Sequence, residues 1–233
     1  MPYKFSIDVT VRRKLGLVKR CMPVESVIDF GGMWEVDGYY SKQCLTRFGA
    51  KEVTMIDVEE SDNWKGDPAL REGLDFRRGD FSDERFMKSI AGTFDLALAY
   101  DVLPHQIDLR HALSMMLSKT KRFFLISSPV IPDSIMPYRN SLVLLSGSRA
   151  SSLIPFCEQW TKDMDYWRNF KDASNIGRNH WLWGMSPSFI ESLMAGLGWR
   201  LTHRELWKDR FLQNLKWRMG GFVFTKRPTN RRS

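Results

Sequence analysis

Four aspartates stand at matching places in the first half of the chain. Asp29 lies near the end of SVIDF and precedes Gly31-Gly32. Asp57 closes EVTMI, Asp80 closes LDFRRG and is followed by Phe81, and Asp101 closes FDLALAY. A carboxylate at the end of a strand can accept hydrogen bonds from ribose hydroxyls. One beside an aromatic ring can accept from the exocyclic amine of a base that the ring stacks on. Glycines after a strand let the backbone approach a ligand closely, and amides aligned at a helix start favour a carboxylate or phosphate. Singly, each acid reads as readily as an exposed or capping residue. Together, four acids closing four successive strands, with a glycine turn after the first, point to a ligand with a ribose, an amine-bearing base and a zwitterionic or anionic end.

The elements that must position these residues follow from hydrophobic periodicity. SVIDF (26–30), EVTMIDV (52–58), LDFRRGD (74–80), FDLALAYDV (94–102) and RFFLISSPV (122–130) read as strands. Helical spacing of Tyr40, Cys44, Leu45 and Phe48, closed by Gly49, and of Leu109, Leu113, Met116 and Leu117, supplies helices between them. Ser82 is expected to cap another helix running to about Ile90. Continuously apolar strands alternating with helices predict a doubly wound, mostly parallel α/β sheet. Such sheets bind ligands at the carboxyl ends of their strands. Residues 131–184 break the rhythm with Pro132, Pro137, Pro155 and many aromatics. MSPSFIESLMAGLGW (185–199) then predicts a helix capped by Ser186 with Pro187 in its first turn, and WRLTHRELW (199–207) and GGFVFTKR (220–227) predict two last strands.

The common phosphate fingerprints are missing. There is no G-x-G-x-x-G, and Asp57 lies 26 residues beyond Gly31, against about 20 in a dinucleotide-binding unit. There is also no G-x-x-x-x-G-K-[ST], which disfavours a P-loop nucleotide hydrolase. Instead, VIDFGG with Gly38, MIDV, GDF and FDLALAYDVLPH resemble the successive motifs of the class I S-adenosylmethionine-dependent methyltransferases. The resemblance covers residues 25–128 and extends more loosely to 185–226. It implies a seven-stranded sheet with the last strand inserted antiparallel, and S-adenosyl-L-methionine as cofactor. It places Asp29, Gly31, Gly32 and Gly38 around the methionine part, Asp57 on the ribose, Asp80 and Phe81 at the adenine, and Asp101 at the methionine end or substrate mouth. This chain departs from the family's acid-x-Gly-x-Gly-x-Gly pattern: Met33-Trp34-Glu35-Val36-Asp37 separates Gly32 from Gly38. The loop must therefore be longer or bulged.

Methyl transfer to an oxygen of high pKa needs a base or a metal. His105, just past the fourth strand, is the base expected on this reading; the competing role is packing at the start of the next helix. His180, Trp181 and Trp183, at the end of the aromatic insertion, are expected to line the acceptor site, and no metal ligand set is visible. The domain plan is a basic segment 1–24, a methyltransferase domain 25–227 with a lid at 131–184, and a basic tail 228–233.

The net charge of +8 sits on the ends: residues 1–20 carry +5 and residues 226–233 carry +4, which leaves the body at −1. A neutral body with an aromatic lid favours O-methylation of a small molecule or sugar. The basic ends keep two alternatives open: an RNA acceptor, or, with the altered glycine motif, a non-catalytic binding subunit. Three scattered cysteines, no secretory signal pattern and no apolar run of about 18 residues point to a soluble cytoplasmic protein.

Overall fold

The computed structural model describes residues 9–33, 36–106, 108–136, 140–145, 182–209 and 217–227. Seven of its strands form one twisted layer: β1 (Ser26–Phe30), β2 (Glu52–Asp57), β3 (Asp75–Arg78), β4 (Phe94–Tyr100), β5 (Thr120–Val130), β8 (Trp199–Trp207) and β9 (Arg218–Lys226). β3, β2, β1, β4 and β5 lie side by side and parallel. β9 runs antiparallel between β5 and β8. This is the expected seven-stranded arrangement.

Two further short strands, β6 (Leu142–Leu145) and β7 (Leu182–Met185), form an antiparallel ribbon inside the region read as a lid. β7 joins the sheet at Val130↔Met185. β9 already occupies the other edge of β5 there, through Val130↔Arg218. β7 therefore continues along the edge that β4 leaves at Tyr100↔Ser127, at the carboxyl end of the sheet.

Alternate strand residues build two cores. Val27, Val53, Leu98 and Leu125 face helices α1 (Val9–Cys21) and α2 (Tyr39–Thr46). Ile28, Ala97, Ala99, Phe124 and Ile126 face α6 (Leu109–Ser118) and α7 (Pro187–Gly196). Strands buried on both faces must be apolar throughout, which explains SVIDF and FDLALAY. Short helices α3 (Asp62–Gly66), α4 (Pro68–Arg71) and α5 (Glu84–Ser89) complete the crossovers. Ser186 caps α7 by accepting from the Phe189 N–H at 3.1 Å, as its position predicted. Ser82 does not cap α5. Asp83 does, accepting from Arg85 and Phe86, because Ser82 is held by the Asp80 carboxylate.

The basic segment 1–24 contains α1, an element absent from the sequence expectation. Its residues Val11, Leu15, Leu17, Val18 and Cys21 are buried against the sheet, and its first turn is fastened by Thr10 to Trp207 and Asp209. No helix among the described residues is long and apolar enough to cross a membrane.

Candidate functional site at the strand ends

The turn after β1 has room only for glycine. Gly31 has φ +74°, donates its N–H to the Ile56 carbonyl at 2.8 Å, and would place a Cβ 2.2 Å from Val102. At Gly32 a Cβ would lie 2.5 Å from Asp29 Oδ2. Gly38, φ +72°, donates to the Gly32 carbonyl at 2.9 Å. That bond closes the loop on itself, so two glycines six positions apart in sequence are neighbours in space. Met33 anchors the extra residues in a small core with Met55 and Trp64. Asp37 ties them to Ser61 and Asn63, just past β2. Trp34 and Glu35 lie outside the described residues.

Asp29 and Asp57 are both buried beside this loop. Asp29 accepts from the Ser41 hydroxyl at 2.7 Å. Burial pushes its pKa up to about 7 against that hydrogen bond, and the nearby Asp57 charge adds to the rise. Asp57 accepts the Met33 N–H at 3.0 Å through Oδ2 and the Val58 N–H at 2.7 Å through Oδ1. Burial raises its pKa to about 6, with the backbone donors pulling the other way. Asp57 thus latches the lengthened loop to the end of β2.

Asp101 has φ +61°, which is costly for a residue with a side chain. Its N–H donates to the Ser127 carbonyl at 2.7 Å, and its Oδ2 is ion-paired with Lys14 of α1. Lys14 is buried, with Nζ 5.4 Å from the ring centres of both Tyr40 and Tyr100. Burial works against its ammonium, but Asp101 and the other neighbours outweigh this and its pKa rises. Asp101 Oδ1 and Ser127 Oγ are buried with no hydrogen-bond partner among the described residues.

The remaining expected residues lie around these. Asp80 is exposed and holds the Ser82 N–H and hydroxyl through Oδ1, both at 2.7 Å. Phe81 is buried, its ring edge-on to Phe30 at 5.7 Å, within the sheet's core. His105 ends the 3-10 turn Leu103–His105 directly after Asp101 and is half-buried. His111 instead bridges to the Ser82 carbonyl at 3.0 Å. Trp183, on β7, donates Nε1–H to the Gln106 carbonyl at 2.7 Å, which pins the ribbon to the His105 turn. His180 and Trp181 lie outside the described residues. Among the described residues no group of three or more His, Cys, Asp or Glu is arranged to hold a metal ion.

Sequence reasoning missed Lys14, Tyr40 and Tyr100 as parts of this site. A signal for Lys14 existed: Val11, Lys14, Leu15 and Val18 follow i, i+3, i+4, i+7 spacing, which puts a lysine on the apolar face of a helix.

No family model and no curated protein matches the chain. Solved structures do. The chain is similar to the 1,6-didemethyltoxoflavin-N1-methyltransferase of Burkholderia thailandensis, solved with 1,6-didemethyltoxoflavin and S-adenosylhomocysteine (TM-score 0.60, 13% identity, 96% of this chain and 80% of that one). It is similar to the magnesium protoporphyrin IX methyltransferase of Synechocystis, solved with S-adenosylmethionine (TM-score 0.54, 14% identity, 97% of this chain and 85% of that one). It is also similar to the cyclase SpnF (TM-score 0.60, 11% identity, 93% of this chain and 81% of that one). The architecture is that of the class I methyltransferase fold. As the cyclase illustrates, the fold alone does not fix the reaction.

Proposed function

We propose that this chain is an S-adenosylmethionine-dependent methyltransferase, acting in the cytoplasm on an oxygen of a small molecule or sugar. The observation that carries the reading is the convergence of Gly31-Gly32, Asp57 and Asp101 at the carboxyl ends of β1, β2 and β4. The residues fit the cofactor. The glycine turn offers backbone without side chains. Asp57 uses its carboxylate on loop amides and keeps capacity to accept a ribose hydroxyl, since a carboxylate has about four acceptor sites. Asp101 carries a buried oxygen that lacks a donor among the described residues.

When bound, the cofactor supplies a methyl group on a positively charged sulfur, open to in-line displacement by an acceptor oxygen. The chain's own residues have three tasks. The glycine turn, Asp57 and Asp101 fix the methyl position, and proximity of this kind contributes much of the rate. His105, on the turn after Asp101, takes the proton of the acceptor hydroxyl. The β6–β7 ribbon and the rest of the 131–184 lid, with His180, Trp181 and Trp183, line the acceptor and exclude water. Asp80 and Phe81 border the adenine end.

Among the described residues, a cluster of basic groups, part of it drawn from the chain ends, lies away from the site, which supports a small acceptor over RNA. Lys19, Arg20, Lys121, Arg122, Arg200, Lys226 and Arg227 are exposed, and they gather where β5 and β8 begin and β9 ends. That is the end of the sheet opposite the glycine turn. Phosphate clamps would be expected on the site's own side.

The test uses methyl-labelled S-adenosylmethionine with hydroxylated small molecules and sugars, run beside total cellular RNA. Label is expected on a hydroxyl of a small acceptor and not on RNA. Label on RNA that falls steeply with salt would overturn the acceptor assignment. In the same assay, His105→Ala is expected to lose turnover while keeping cofactor affinity; full activity would remove His105 as the base.

A further inference from the structure

The N-terminal helix reaches into the candidate site with one charged group. Lys14 takes a place on α1 that the pattern Val11, Leu15, Val18 reserves for an apolar side chain, and it is only 5% exposed. Its ammonium is enclosed by the Tyr40 and Tyr100 rings, which meet edge to face at 5.0 Å, and by Asp101 Oδ2. Tyr100 also donates its hydroxyl to the Lys14 carbonyl at 2.9 Å, fixing the helix turn that carries the lysine. A buried ion pair is a poor way to gain stability, since apolar residues of similar volume usually do as well or better. The arrangement calls for another reason.

That reason lies on the other side of Asp101. Lys14 engages Oδ2 and leaves Oδ1 buried without a donor among the described residues. Ser127, whose carbonyl accepts the Asp101 N–H, also carries a buried Oγ without a partner among the described residues. Buried polar atoms are nearly always satisfied, so the unmet carboxylate oxygen at the strand ends marks a place for a donor. An ammonium has three N–H donors and no acceptor. The backbone of Asp101 is held in its costly left-handed conformation while its carboxylate is fixed from one side only.

We infer that Lys14 is a positioning residue: it holds Asp101 so that Oδ1 receives the α-ammonium at the amino-acid end of the cofactor. The inference rests on the proposed function and deepens it. The carboxylate then bridges two ammonium groups, one from the chain and one from the ligand. α1 becomes part of the cofactor site without touching the cofactor.

Calorimetry with two ligands tests this. S-adenosylhomocysteine carries the amino-acid end; methylthioadenosine has the same nucleoside and sulfur without it. Lys14→Met is expected to weaken S-adenosylhomocysteine at least about tenfold, the scale of a hydrogen bond between charged groups, and to leave methylthioadenosine within about twofold. Lys14→Arg, which keeps the charge, is expected to restore part of the loss. Equal weakening of both ligands, or of neither, overturns the inference while leaving the proposed function standing. Should Lys14→Met not fold, the wild-type protein decides: it is expected to bind the deaminated analogue of S-adenosylhomocysteine at least tenfold more weakly than the parent, and equal binding refutes the ammonium contact. A wild type that binds neither adenosyl ligand removes the proposed function itself, and this inference with it.

Discussion

Asp29 and Asp57 are acids placed where burial makes their charge expensive, and both pKa values rise, to about 7 and about 6. An acid raised above its ordinary value of 3.8 binds its proton more tightly in the folded state. Its stabilising share is complete below that value and is lost as pH climbs toward the folded pKa. Asp29→Asn removes one such group. In urea unfolding the variant is expected to match wild type near pH 4 and to gain on it progressively up to pH 7; a difference that does not change with pH would contradict the assignment. Asp57→Ala is expected to weaken cofactor binding at least tenfold, about 1.4 kcal/mol, and unchanged affinity in a folded variant would refute the ribose contact. These acids were legible in sequence because an acid ending an apolar strand is conspicuous. Lys14 was not, because it sits among Arg12, Arg13, Lys19 and Arg20 and was read as one charge of a basic segment. Phe81, which the resemblance puts beside the adenine, packs its ring edge-on against Phe30 within the sheet's core.

Among the elements, the glycine turn and the β6–β7 ribbon carry most of the argument. Gly31 and Gly49 both have positive φ, but only Gly31 has a neighbour where a Cβ would go. Gly49→Ala should cost about 1–2 kcal/mol, the price of a left-handed residue. Gly31→Ala should cost more and also disturb cofactor binding. Comparable losses in thermal unfolding would show that Val102 yields. For the ribbon, Trp183→Phe removes the donor to Gln106 and is expected to raise the acceptor KM with cofactor affinity unchanged; a change in cofactor affinity alone would place the ribbon elsewhere in the mechanism. The five core strands and α7 were readable from periodicity and caps. β6 and β7 were not: four residues each, they are defined by pairing with each other, and that pairing has no local signature. The closing of the loop by Gly38 onto Gly32 is likewise a long-range bond that spacing alone disguises.

At the scale of the whole molecule, alternation of strand and helix made a parallel, doubly wound sheet readable, while the seven-stranded order with its antiparallel last strand came from the resemblance to the class I methyltransferases and is what the structure has. The location of the charge was not readable in this way. A count puts the basicity at the two chain ends, whereas folding brings part of each to the pole where β5 begins and sends Lys14 to the opposite one. What we propose ties these scales together: the strand ends receive S-adenosylmethionine. Titration of the purified protein with S-adenosylmethionine and S-adenosylhomocysteine by calorimetry, with thermal unfolding alongside, tests this most directly. The account predicts saturable heat with one site per chain and a raised unfolding temperature for both ligands; no heat and no stabilisation with either at millimolar concentration would contradict it.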